Sequence, residues 1–132
     1  MTPAFLAELG HVVGAGGLLQ DPLELLTYEC DGLSHLRESP AAVVLPSSAD
    51  QVRDVVRLCA REGVPFVPRG HGTGLSGGAL PVPGGVVIAL SKLNRVLDID
   101  IANQRVTVEP GVTNLEITKQ VSPFGYYYAP DP

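Results

Sequence analysis

The sequence predicts an α+β domain built on a mixed sheet, and two stretches carry that expectation. Residues 41–67 read as strand, helix and strand with short joints, a crossover that makes parallel strands. Residues 86–109 read as one more buried strand and then an alternating hairpin, which adds an antiparallel pair. Between them lies RGHGTGLSGG, residues 69–78, where five of ten positions are glycine.

Taken in order, Thr2-Pro3 starts a helix, with a capping hydroxyl and proline at the first helical position. Phe5, Leu6 and Leu9 share its apolar face, and Gly10 is expected to end it. Residues 11–40 show no clean period, and Gly14-Ala15-Gly16-Gly17 suggests a turn. Ala41–Leu45 is a short apolar strand stopped by Pro46. Ser48 with Gln51 forms a capping box, and Val52, Val55, Val56 and Cys59 follow on one helical face until Gly63. Val64–Val67 and Val86–Leu90 are strands. Val96–Ile101 and Arg105–Glu109 form the hairpin, with Leu97, Ile99 and Ile101 expected on one side to meet Val106 and Val108. Thr113 and Glu116 cap a last helix that Pro123 stops. Residues 1–38 are thus a helix and lead-in, and 39–132 the main unit.

Composition narrows the function. The 132 residues fit one domain, 45% hydrophobic and 17% charged, with a net charge of −5. An acidic chain without a basic stripe is not expected to bind nucleic acid. No apolar run reaches membrane-spanning length, and no basic segment followed by an apolar one marks a signal peptide, so the cytoplasm is the expected location. Cys30 and Cys59 form no CxxC motif. His11 and His35 have no Cys or carboxylate cluster at metal spacing, so no metal site is expected. Arg53, Arg57 and Arg61 form a stripe opposite the apolar face, read as a solvated surface rather than a site for an acidic partner. The chain stops at YYYAPDP just where apolar side chains need a partner surface, which suggests a fragment of a longer protein.

The glycine stretch contains Gly72-x-Gly74-x-x-Gly77 and follows a strand, and Asp98 lies downstream where a ribose-binding acid would be sought. That fingerprint needs a helix directly after the glycines to hold a pyrophosphate. Residues 78–85, GALPVPGG, cannot supply one, and Asp98 reads better as an outward strand residue. A P-loop is excluded because no Gly-Lys-Ser/Thr is present. Successive glycines nevertheless leave backbone N–H groups uncovered, and such groups form nests for anions. Thr73 and Ser76 add hydroxyls, and between Gly63 and Ser91 the only formal charge is Arg69. Attraction for an anion would therefore be local, from N–H groups and Arg69; the alternative is a turn-rich surface loop.

VPRGHGTGLSGGALP, LSKLNRVLDID, VEPGV and YYYAPDP together resemble the FAD-linked oxidase family with the p-cresol methylhydroxylase-type fold. The likeness is to the branch holding glycolate oxidase FAD-binding subunits and D-lactate dehydrogenases, and it covers roughly residues 20–132, most specifically Pro68 to Pro81. The resemblance implies the first of two α+β subdomains that enclose FAD. It implies that Pro68, Arg69, Gly70, His71, Gly72, Thr73, Gly74, Leu75, Ser76, Gly77 and Gly78 wrap the FAD pyrophosphate, with Pro110 and Gly111 near the flavin. Pro130, Asp131 and Pro132 would begin a further cofactor-contacting stretch. It also implies oxidation of a 2-hydroxy acid to the 2-oxo acid, with the substrate-binding and proton-abstracting residues outside this chain. Partners would be that small acid and other subunits of an oxidase complex, through which the protein could meet a membrane. His71 departs from the small residue of many relatives. In other branches a loop histidine is bonded to the flavin, so His71 is either an attachment point or a hydrogen-bonding or solvated histidine; the glycolate oxidase type of loop favours non-covalent FAD. A cell-wall-precursor flavin reductase is a second reading, which LSGGALP opposes. A stand-alone phosphate- or nucleotide-binding module is a third. Tyr126–Tyr128 would either stack on the ligand or pack against the second subdomain.

Overall fold

The computed structural model describes residues 1–130. Four strands form a mixed sheet: β1 (Leu18–Leu19), β2 (Ala42–Val44), β3 (Phe66–Arg69) and β4 (Val86–Ala89). Their order is β1-β2-β4-β3, with β1 antiparallel to β2 and both β2 and β3 parallel to β4. The crossover strands β2 and β3 are thus parallel as expected, but they are not neighbours. Strand β4 lies between them, because its run Val86–Ala89 is buried throughout and fits a centre rather than an edge.

Two helices cover one face of this sheet. Helix α1 (Pro3–Val13) is capped by Thr2, whose Oγ1 accepts the Phe5 N–H at 3.2 Å. Gly10 does not end it, contrary to the sequence expectation: the helix runs one more turn to Gly14, at φ 75°. Phe5, Leu9 and Val13 are its buried residues, so the further turn places Val13 in the core. That gain outweighs one mid-helix glycine, which costs only about 1 kcal/mol. Helix α3 (Ala49–Glu62) packs beside α1. Ser48 Oγ accepts the Gln51 N–H at 3.2 Å, but Gln51 Oε1 reaches back to the Ser47 N–H at 2.7 Å, one residue earlier than a standard capping box. Gly63, at φ 65°, ends α3 in the left-handed conformation. Val55, Leu58 and Cys59 join Val44, Val86 and Ile88 in this core, and burial pushes the Cys59 thiol up.

The opposite face gathers Val43, Val87 and Ala89 beneath Leu19, Leu25 and Tyr28. These last come from the stretch without a readable period, which folds as β1, a one-turn helix α2 (Pro22–Leu25) and a 3-10 turn at Leu26–Tyr28. Each element there is too short for a period to emerge.

Strands β5 (Val96–Asp100) and β6 (Arg105–Val108) form a separate antiparallel hairpin. Val96 faces Val108 and Ile99 faces Val106, with an irregularity between Val96 and Asp98. The bulge turns Leu97 outward, 56% exposed, so it does not share a face with Ile99 as the alternation predicts. Helix α4 (Asn114–Val121) follows, capped by Thr113 Oγ1 on the Glu116 N–H at 3.1 Å. The arginine stripe of α3 is met by carboxylates: Arg53 pairs with Asp50 and Asp54, and Arg61 with Glu8 and Glu62. Among the described residues no helix is long and apolar enough to cross a membrane, and no His/Cys/Asp/Glu cluster could hold a metal ion.

Candidate functional site

The glycine loop leaves the sheet at the carboxyl end of β3, beside the carboxyl end of β4. In parallel sheets ligands bind at this end. Leu90 N–H donates to Arg69 O at 2.8 Å, and beyond that bond the loop leaves the ladder. No helix follows the glycines, which removes the dinucleotide-fingerprint reading. Asp98 is an exposed strand residue, as expected.

The glycines divide into two kinds. Gly72 and Gly77 have φ of 72° and 75°, so the chain there needs the left-handed region. Gly74 and Gly78 do not, and a Cβ on either would meet nothing within 4 Å. At Gly70 the nearest atom would be Pro110 O, 3.9 Å away. Neither packing nor backbone conformation therefore demands glycine at residues 70, 74 and 78. Among the described residues, no acceptor takes a backbone N–H from residues 70 through 78. The loop thus presents a row of free donors on an open, exposed front, with Thr73 and Ser76 hydroxyls beside them. Such a donor set fits a diphosphate.

The rear of the loop is closed. Arg69 is only 8% exposed. Its Nη1 donates to Cys30 O at 2.7 Å and lies 3.4 Å from Ala79 O, and its guanidinium sits over the Tyr28 ring at 5.7 Å. The main chain of Gly72 rests against the same guanidinium, where a Cβ would collide. Gly32 N–H donates to Gly74 O at 3.0 Å. Sequence reasoning found Arg69 but assigned its charge to the anion, and it missed Tyr28, Asp31 and Gly32, which lie in the unpatterned lead-in.

Beside the loop, His71 Nε2 and Gly111 O are 3.1 Å apart. A carbonyl only accepts, so Nε2 carries the hydrogen and donates. Gly111 is buried and donates its own N–H to Leu93 O at 2.7 Å. Together with Ser91, Asn94, Thr113 and Gln120, His71 and Gly111 line a cavity of about 620 Å3. Pro68, Leu75 and Pro110 are exposed at its edges or along the loop. Pro130 O accepts from Asn114 Nδ2 at 2.9 Å, which brings the chain back to the start of α4. Asp131 and Pro132 lie outside the described residues. Tyr126, Tyr127 and Tyr128 line a different groove of about 200 Å3, with Ile99, Val106 and Val121.

The profile of the FAD binding domain family matches residues 40–132. The glycolate oxidase subunit GlcD of Escherichia coli (strain K12) is 47% identical over 131 residues, 99% of this chain and 26% of that protein. The D-2-hydroxyglutarate dehydrogenase of Stutzerimonas stutzeri (strain A1501) is 33% identical over 129 residues, 98% of this chain and 28% of that protein. Among solved structures, p-cresol methylhydroxylase with substrate bound superposes with a TM-score of 0.79 at 25% identity, covering 92% of this chain and 24% of that one. The chain therefore spans about a quarter of the length of these relatives.

Proposed function

The chain belongs to the FAD binding domain family and has the p-cresol methylhydroxylase-type fold; from that premise we propose that it forms the pyrophosphate-binding part of a flavin-dependent 2-hydroxy-acid oxidoreductase. The observation that carries this reading is the row of unpaired N–H groups over residues 70–78, with glycines at 70, 74 and 78 that neither packing nor backbone conformation requires. The residues Pro68 to Gly78 would cradle the diphosphate through backbone N–H groups and the Thr73 and Ser76 hydroxyls. Arg69 would act from behind, since its guanidinium already holds Cys30 O. Pro110 and Gly111 would border the flavin, and Pro130, Asp131 and Pro132 would open a further contact stretch.

The redox chemistry, removal of a hydride equivalent from the α-carbon of the hydroxy acid, is the flavin's. This chain's residues bind and orient; we assign none of them a catalytic role. His71 donates to Gly111 O and so ties the loop to the turn before α4. We assign it this strap role and non-covalent FAD. Substrate, a small 2-hydroxy acid of the glycolate or D-lactate type, would be held by parts outside this chain. Other oxidase subunits would be its partners, and a cytoplasmic location, reaching a membrane only through those subunits, follows from the same reading.

A flavin titration tests this. The chain is titrated with FAD, followed by absorption and by amide resonances of the loop, and then acid-precipitated. The expected result is saturable shifts at residues 70–78 and yellow colour that stays in the supernatant. Colour in the precipitate would overturn the non-covalent assignment. Inorganic pyrophosphate shifting the loop while FAD does not would leave a phosphate-binding module instead.

A further inference from the structure

The region matched by the family profile begins at residue 40, yet the rear wall of the glycine loop comes from residues 28–33. We propose that Tyr28, Asp31 and Arg69 are positioning residues that latch this loop, so that the cofactor site extends upstream into the lead-in segment. The proposal rests on the FAD reading for its ligand but not for its geometry.

The chemistry of the latch begins with a buried charge. A guanidinium 8% exposed is costly unless its donors are used. Arg69 has carbonyl oxygens as partners rather than carboxylates, and the Tyr28 face lies below it. One rigid fork thereby joins three parts of the chain: Cys30 in the lead-in, Ala79 at the loop's far end, and the Gly72 backbone resting on it. Both carbonyls are met by the one Nη1, so what a lysine lacks is the planar surface that carries the Gly72 backbone and faces Tyr28.

A second point of attachment lies two residues along. Asp31 is only 6% exposed. Its Oδ1 accepts the Leu33 N–H at 2.8 Å and so forms the turn that carries Gly32. Gly32 donates to Gly74 O, and a Cβ at residue 32 would lie 2.8 Å from both Thr73 O and Gly74 O. The carbonyls of Thr73 and Gly74 are thus turned to the rear. A carbonyl facing forward would repel a phosphate oxygen; held behind, it leaves the amides in front. Asp31 Oδ2 is buried and has no donor among the described residues. The turn needs one oxygen of this side chain, not its charge.

These features separate the latch from ordinary stability. The experiment uses the full chain as Arg69→Lys, Asp31→Asn and Asp31→Ala. Backbone order parameters of residues 70–78 are measured without ligand, and dissociation constants for FAD and for riboflavin, which has no phosphate, are measured by amide titration. Arg69→Lys and Asp31→Ala are expected to loosen the loop and to weaken FAD about tenfold, leaving riboflavin unchanged. Asp31→Asn, which keeps the Oδ1 acceptor, is expected to match the wild type. The proposal is overturned if Arg69→Lys leaves loop order intact, or if FAD and riboflavin weaken by the same factor. If the loop loosens as expected while FAD never shifts the wild-type amides, the latch stands and the FAD reading falls. Should Arg69→Lys fail to fold, the Asp31→Asn and Asp31→Ala pair decides alone: equal loop order in the two overturns the latch.

Discussion

Gly74→Ala and Gly78→Ala separate the needs of the fold from those of the ligand. Neither glycine has a positive φ, and an added Cβ meets no atom within 4 Å. The unfolded chain loses freedom with alanine, so each change should stabilise by about 0.4–1 kcal/mol. For a chain of this size that is a rise in Tm of roughly 1–6 °C. The opposite is expected for FAD. A hydrogen bond from a backbone N–H to a charged phosphate oxygen is worth about 1.5–3 kcal/mol. A methyl group that displaces one such bond should raise the dissociation constant by roughly 10- to 150-fold. The assay pairs thermal unfolding with FAD titration of the loop amides. Stable proteins that bind FAD as tightly as the wild type would refute the reasoning, because the glycines would then serve chain conformation alone.

Other substitutions probe the scaffold. Gly111→Ala should destabilise by about 1–3 kcal/mol in urea unfolding, since its Cβ would press on Leu93 O at 2.7 Å and on the Leu90 carbonyl, which are backbone atoms that cannot step aside. Leu9→Ala should cost about 2–5 kcal/mol, as Leu9 is fully buried between α1 and the sheet. Thr113→Ala should cost about 1 kcal/mol by removing the α4 cap. Hydrogen bonding from Arg95 holds the Glu109 carboxyl below its ordinary 4.5. That contribution is full above 4.5 and is lost as pH falls through the lower folded value, so Glu109→Gln should flatten the acid limb of the stability profile and leave neutral pH behaviour nearly parallel.

Legibility followed element length. Helix α3 announced itself through the Val52–Cys59 face and its Ser48 cap, and β4 through an unbroken apolar run. The loop was legible because glycine admits, and proline fixes, backbone angles that other residues do not, and both act locally. Gly10 was misread because a local stop signal competes with a tertiary gain, the burial of Val13, that spacing alone does not weigh. Leu97 was misread because a one-residue bulge reverses every later side chain. Tyr28, Asp31 and Gly32 were invisible for a different reason. Their role depends on contacts some forty residues away in sequence, and the elements holding them are too short to show a period.

On the proposed reading the chain would bind an anion by local means, and its charges suit that reading. With a net charge of −5, the long-range field repels a diphosphate. The arginines of α3 do not offset that field toward the loop, because Asp50, Asp54, Glu8 and Glu62 neutralise them in place. What remains is short-range: no carboxylate between Gly63 and Ser91, one buried guanidinium behind Gly72, and carbonyls held to the rear by Gly32. Dipoles of this kind act within a few ångströms and are screened little by salt compared with surface charges. The same N–H row that would grip a diphosphate has no partner among the described residues, so ordering of the loop and occupation of the cradle would be coupled. Under the proposed latch, whatever fastens the rear of the loop would set the affinity at its front, and the contact placed to do so is Arg69 on the carbonyl of Cys30.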